Sequence, residues 1–186
     1  GKPRIVVLNK ADLANQQTTK AWQEWFRERG IVSLPYIATK SGMNAAVLGA
    51  VQAATAELVA RWRAKGVKKT VRLMVAGIPN CGKSTFINRM AGDARVRTAD
   101  RPGVTRGTQW VRLAPTLEMM DTPGMLWPRF DDPATARHLA YVGSINDEIV
   151  NLEELAAELI GELMVLAPEA VRARFKLNGE PEPGEG

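Results

Sequence analysis

Residues 70–85 read TVRLMVAGIPNCGKST. The first half, Thr70 to Ala76, is an apolar, β-branched run of the kind that forms a buried strand. It passes directly into Gly77-Ile78-Pro79-Asn80-Cys81-Gly82-Lys83-Ser84, which has the spacing G-x-x-x-x-G-K-S. In such a loop the glycines let backbone N–H groups converge on a phosphate. The lysine reaches the β- and γ-oxygens, and the serine hydroxyl ligates Mg²⁺. The following residues predict a helix from Lys83 to Ala91, stopped by Gly92. A strand before and a helix after are the context the motif needs; the plainer reading is a chance glycine loop.

Two further boxes bear on the same chemistry. Asn9-Lys10-Ala11-Asp12 ends the short run Arg4 to Leu8, RIVVL. A carboxylate at Asp12 accepts the N1–H and the 2-amino group of guanine. Adenine offers neither donor, so the same carboxylate rejects it by leaving a buried charge unpaired. Asp121-Thr122-Pro123-Gly124 closes the run LEMMD. There the Asp121 carboxylate can hold the Mg²⁺ shell, and the Gly124 N–H can meet a γ-phosphate. By itself Asp-x-Pro-Gly is also an ordinary turn. Ala38-Thr39-Lys40-Ser41-Gly42 follows the run IVSLPYI, where backbone N–H groups at Ala38 and Thr39 could contact the guanine oxygen.

Each box sits at the carboxyl end of a predicted parallel strand, where ligands bind in open α/β sheets. The base-reading box precedes the phosphate loop, the reverse of the ordinary order. A sheet does not record chain order, so moving the termini leaves the strand ends pointing at one pocket. The fold class expected is α/β, a circularly permuted P-loop nucleotide-binding fold. It has a mainly parallel sheet with helices on both faces and a C-terminal helical appendage.

The remaining periodicity fills in this frame. Residues 18–30 predict a helix with Thr18 or Thr19 as N-cap and Gly30 as stop, and Trp22, Trp25 and Phe26 fall on one face as core candidates. Pro35 puts the second strand at an edge or bulge. A long Ala-rich helix spans about Met43 to Lys65. Thr108 to Ala114 and Leu117 to Asp121 read as a hairpin around Pro115, the antiparallel edge of the sheet. Beyond Trp127, Asn151 and Glu154 form a capping box. They precede the stripe Leu152, Leu155, Leu159, Ile160, Leu163 and Leu166. The expected boundaries are a nucleotide domain over 1–130, the start of a helical domain over 131–178 and a disordered tail over 179–186.

Charge and composition narrow the function. The single cysteine, Cys81, excludes an internal disulfide, and one Cys with one His (His138) argues against a structural zinc site. No uninterrupted apolar run approaches the length of a membrane span, and no signal peptide opens the chain. Net charge is +5, but residues 153–186 carry −5, leaving +10 on residues 1–152. The densest basic stretch, RWRAKGVKKTVR over 61–72, contains six Lys or Arg and no acid. It is either a solvated helix end or a footprint for RNA phosphates.

The stretches KPRIVVLNKADL, AGIPNCGKSTFINRMAG, DRPGVTRGTQWV and DTPGMLWPRF resemble the bacterial ribosome biogenesis GTPase A family over about residues 2–178. That resemblance implies a GTPase that assists late assembly of the large ribosomal subunit in the cytoplasm, with rRNA as partner. It implies that Asn9, Lys10 and Asp12 read guanine and that Asn80, Cys81, Gly82, Lys83, Ser84 and Thr85 hold phosphate. The metal set would be Ser84, Thr105 and Asp121, and the catalytic set Lys83, Thr105 and Gly124, with Thr105 as switch threonine. Asn80 stands where related potassium-stimulated enzymes ligate K⁺. Met125 follows Gly124, where Ras-like enzymes place a water-orienting glutamine; a thioether cannot do that, so intrinsic hydrolysis should be slow and stimulated by the ribosomal particle. Two other readings remain open: a GTP-binding scaffold with little hydrolysis, and a permuted GTPase acting on the small subunit, against which the Cys and His counts stand. The sequence leaves the oligomeric state undetermined.

The resemblance also marks departures. Members begin with a Pro-Gly-His-Met stretch and a strand ending in Val-Asp-Ala-Arg, neither of which is in this chain, and their helical domain runs further. In the unpermuted fold, the strand after DTPG lies between the phosphate-loop strand and the one ending in Asn-Lys-x-Asp. Permutation moves it ahead of residue 1. The expectation is a natural protein longer at its N-terminus, and here five strands with a gap near the middle of the sheet.

Overall fold

A computed structural model describes residues 2–92, 109–127, 129–146 and 150–177. The chain divides into two compact units, Gly1–Trp127 and Pro128–Gly186. The first unit contains β1 (Ile5–Leu8), α1 (Gln16–Glu28), β2 (Val32–Pro35), α2 (Met43–Ala64), β3 (Val71–Val75), α3 (Lys83–Ala91), β4 (Gln109–Ala114) and β5 (Leu117–Asp121).

Its strands form two sheets. One is the parallel pair β1-β2, in register from Ile5 opposite Val32 to Leu8 opposite Pro35. The other has the order β3-β5-β4, with β3 parallel and β4 antiparallel to β5. Among the described residues β1 pairs only with β2, and β3 only with β5. Both therefore keep one open edge. All of β1 is half-buried, whereas a strand inside a parallel sheet is covered on both faces. The end of β1 and the start of α1 line a cavity of about 450 Å³, with Val7, Leu8, Asn9, Thr18 and Trp22 among its walls.

One face of the three-stranded sheet carries the core. Val111 and Met119 pack with Phe86, Ile87 and Met90 of α3, Val47 of α2, and Tyr36 just after β2. Side chains alternate along a strand, so the opposite face presents the rows Arg72–Glu118–Arg112 and Met74–Met120–Trp110. That face is open: Met74 is 66% exposed and Trp110 50%. Glu118 draws the two flanking arginines across it, at 3.2 Å to Arg72 and 3.5 Å to Arg112. Arg72 also lies over the Trp110 ring.

Several expectations change. The N-cap of α1 is Asn15, whose Oδ1 accepts the Thr18 N–H at 3.0 Å. Trp22 and Trp25 are not core; α1 buries no residue, and they are 50% and 41% exposed. They pack on Phe26 and on each other, and Arg29 lies 3.7 Å over the Trp25 ring. By length and mean hydropathy (1.3), α2 could cross a membrane. Here it buries Val47 and Val51 against the protein, and Gln52, Thr55 and Glu57 interrupt its apolar run.

The second unit contains α4 (Pro133–Tyr141), α5 (Leu152–Leu166) and α6 (Pro168–Phe175). Asp132 caps α4 through the Ala134 and Thr135 N–H groups, and Pro133 takes the first-turn position where its missing N–H costs nothing. Asn151 caps α5 through Glu153 and Glu154. Glu162 of α5 joins His138 and Tyr141 of α4, and Arg137 bridges to Glu158 at 3.3 Å. The leucine stripe of α5 is not a buried core: no residue of that helix is buried, and Leu152 and Leu166 are 54% and 77% exposed. The tail predicted over 179–186 lies outside the described residues.

Candidate functional site

The phosphate loop spans the end of β3 to the start of α3. Two left-handed positions shape it, Asn80 at φ 57° and Gly82 at φ 92°. At Gly82 a Cβ would collide with Asn9 Nδ2, so glycine is required there both by conformation and by space. The Lys83 side chain is buried and its Nζ donates to the Ile78 carbonyl at 2.9 Å, across its own loop. Cys81 is half-buried and Thr85 exposed on the same turn. The N-terminus of α3 adds a partial positive charge facing the loop.

The base-reading box closes onto this loop. Asn9 Nδ2 donates to the Cys81 carbonyl at 2.9 Å, a contact between residues 72 apart in the chain. Lys10, itself at φ 55°, donates from Nζ to the Asn80 carbonyl at 3.1 Å. Asn9 Oδ1 is buried and lacks a partner among the described residues. Asp12 lies exposed in the turn beyond. The Ala11 N–H donates to the Tyr36 carbonyl at 3.2 Å, which ties the box to the end of β2. Ala38 and Thr39 follow in a turn there: Ala38 packs on the core, and Thr39 is exposed.

The third box approaches from β5. Asp121 is fully buried, and Ser84 Oγ donates to its Oδ2 at 2.7 Å. Its Oδ1 has no partner among the described residues. A hydroxyl and a carboxylate with a spare buried oxygen form a hard-oxygen donor pair that fits Mg²⁺, which takes few protein ligands and relies on phosphates and water. Thr122 Oγ1 donates to the Val75 carbonyl at 2.7 Å, pinning the box to β3. Gly124 lies so close to Pro79 that a Cβ would overlap its backbone. The Met125 N–H donates to the Gly77 carbonyl at 3.3 Å, and its side chain is 65% exposed.

Three segments that are far apart in the chain thus meet at one loop. Thr105, expected as switch threonine, lies outside the described residues. Sequence reading missed Tyr36, whose backbone receives Ala11 and whose N–H donates to the Leu8 carbonyl at 2.9 Å. A single tyrosine at a strand end carries no motif that would have singled it out.

Residues 72–166 match the family described as 50S ribosome-binding GTPase. The chain is similar to the ribosome biogenesis GTPase A of Priestia megaterium, 42% identical over 183 residues, covering 97% of this chain and 64% of that protein. Its counterpart in Bacillus licheniformis is 43% identical with the same coverage. The chain therefore spans 64% of the length of these relatives. Among solved structures, the GDP-bound form of TM YlqF matches with a TM-score of 0.56 and 25% identity, covering 97% of this chain and 72% of that one.

Proposed function

Because the chain belongs to the 50S ribosome-binding GTPase family, we propose that it is a GTP-binding and GTP-hydrolysing switch that assists late assembly of the large ribosomal subunit. The observation that carries the reading is the Asn9–Cys81 contact, which joins the base box to the phosphate loop across 72 residues. Asp12 accepts the two guanine donors. Lys83 exchanges its bond to the Ile78 carbonyl for β- and γ-phosphate oxygens. Ser84 and Asp121 would hold Mg²⁺, which would supply neutralisation of phosphate charge. The Gly124 N–H meets the γ-phosphate, and Thr105, which lies outside the described residues, would be a further ligand of the metal.

Hydrolysis is slow in isolation, since Met125 cannot orient the attacking water. The ribosomal particle supplies what is missing, and Asn80 would hold K⁺, which would supply charge neutralisation of the kind an arginine finger gives. The basic stretch from Arg61 to Lys69 follows the phosphates of rRNA. The site of action is the cytoplasm. Single-turnover GTP hydrolysis, with and without large subunits, tests this reading. A rate raised by the subunit supports it, and an equally negligible rate in both conditions favours the GTP-binding scaffold. Replacing K⁺ by Na⁺ at fixed ionic strength lowers the rate; an unchanged rate removes potassium.

A further inference from the structure

Tyr36 is 1% exposed, with its ring edge-on to Phe86 of α3 at 4.9 Å between centroids. Its backbone braces the base box through Leu8 and Ala11. Its hydroxyl turns the other way, donating to Asn44 Oδ1 at 2.8 Å. Asn44 lies in the first turn of α2, and its Nδ2 donates to the Arg89 carbonyl at 2.8 Å. That carbonyl is in the last turn of α3, where helix geometry leaves carbonyl groups without intrahelical donors. The α3 cap reaches it only at 3.4 Å, from the Gly92 N–H. Burial holds the phenol above its ordinary pKa, with Arg89 opposing, so Tyr36 remains a donor at neutral pH.

We propose that Tyr36 and Asn44 form a positioning relay holding the base-reading box and the phosphate-loop helix α3 at a fixed separation. The proposal rests on the guanine-nucleotide reading and adds to it a second tether, from the far end of α3. A ligand that spans both ends gains from having them pre-aligned, because the second contact is then made at high effective concentration. A ligand that touches only the phosphate loop gains nothing from the alignment. The relay therefore acts on nucleoside diphosphates and not on inorganic pyrophosphate.

The test compares Tyr36→Phe and Asn44→Ala with the parent chain, titrating GDP and Mg²⁺-pyrophosphate calorimetrically. Tyr36→Phe retains the ring against Phe86 and the backbone bonds. Each variant is expected to weaken GDP roughly three- to tenfold, the effect of a lost hydrogen bond, and to leave pyrophosphate unchanged. The double variant is expected to be no weaker than the worse single one, since the two bonds act in series. Equal weakening of both ligands means that the two side chains merely stabilise the unit, and the relay is overturned. Unchanged GDP affinity, or effects that multiply in the double variant, also overturns it. If the parent chain binds pyrophosphate but not GDP, the guanine reading fails, and the relay with it.

Discussion

At the scale of single residues, the site is built on positions where one added carbon is too many. Gly124 lies against the Pro79 backbone, so Gly124→Ala must push the Asp121 box away from the phosphate loop. Overpacking of this kind costs roughly 1–3 kcal/mol. The expected outcome is a lower unfolding midpoint together with weaker GTP binding, measured by denaturant titration and nucleotide titration of the same preparation. An unchanged midpoint would show that the contact is loose. Ser84→Ala removes the hydroxyl that bonds Asp121 and leaves that buried carboxylate without this donor, a stability cost that the unfolding midpoint reads separately. It is expected to abolish the Mg²⁺ dependence of nucleotide affinity while sparing Mg²⁺-free GDP binding. Equal Mg²⁺ dependence in the variant would remove Ser84 from the metal shell.

At the scale of elements, α5 buries none of its residues, so its cap carries more of its stability than in a packed helix. Asn151→Ala is expected to cost about 1 kcal/mol, read as lost helical ellipticity and a lower midpoint for the second unit. The basic turn after α2 is the element assigned to RNA. Lys68 and Lys69 carry that assignment better than Arg72, whose guanidinium is ion-paired with Glu118 at 3.2 Å. Neutralising the two lysines should weaken RNA binding and flatten its salt dependence; affinity that is flat between low and moderate salt contradicts the footprint. Much of this level was legible in sequence, because strands and helices declare themselves through local periodicity and the boxes are contiguous. The cap of α1 was misplaced because Asn15 stands ahead of the apolar run and its amide adds the first turn. The tryptophans of α1 were misjudged for a different reason. Spacing puts them on one face but does not reveal whether anything covers it.

At the scale of the whole molecule, the strand pairing sets the stability. Among the described residues five strands make two sheets, with β1 and β3 each open on one side, and the side-chain bonds that join the boxes span 37 to 72 residues, beyond the reach of any local pattern. Backbone groups left free along those edges cost on the order of 1–3 kcal/mol each wherever they are shielded from water, against a domain stability of roughly 5–15 kcal/mol. The isolated chain is therefore expected to unfold at a low midpoint or to exchange strands into dimers. Sedimentation velocity combined with thermal melting decides this, and a cooperative, high-melting monomer would contradict it. The central claim is that a chain with its boxes in reversed order still makes one guanine site. Its most direct measurement is nucleotide selectivity in Asp12→Asn, titrated with GTP and with xanthosine triphosphate. The account predicts that the variant loses GTP and gains the xanthine nucleotide, whose 2-oxygen accepts from the new amide. Undiminished GTP binding by Asp12→Asn would contradict it.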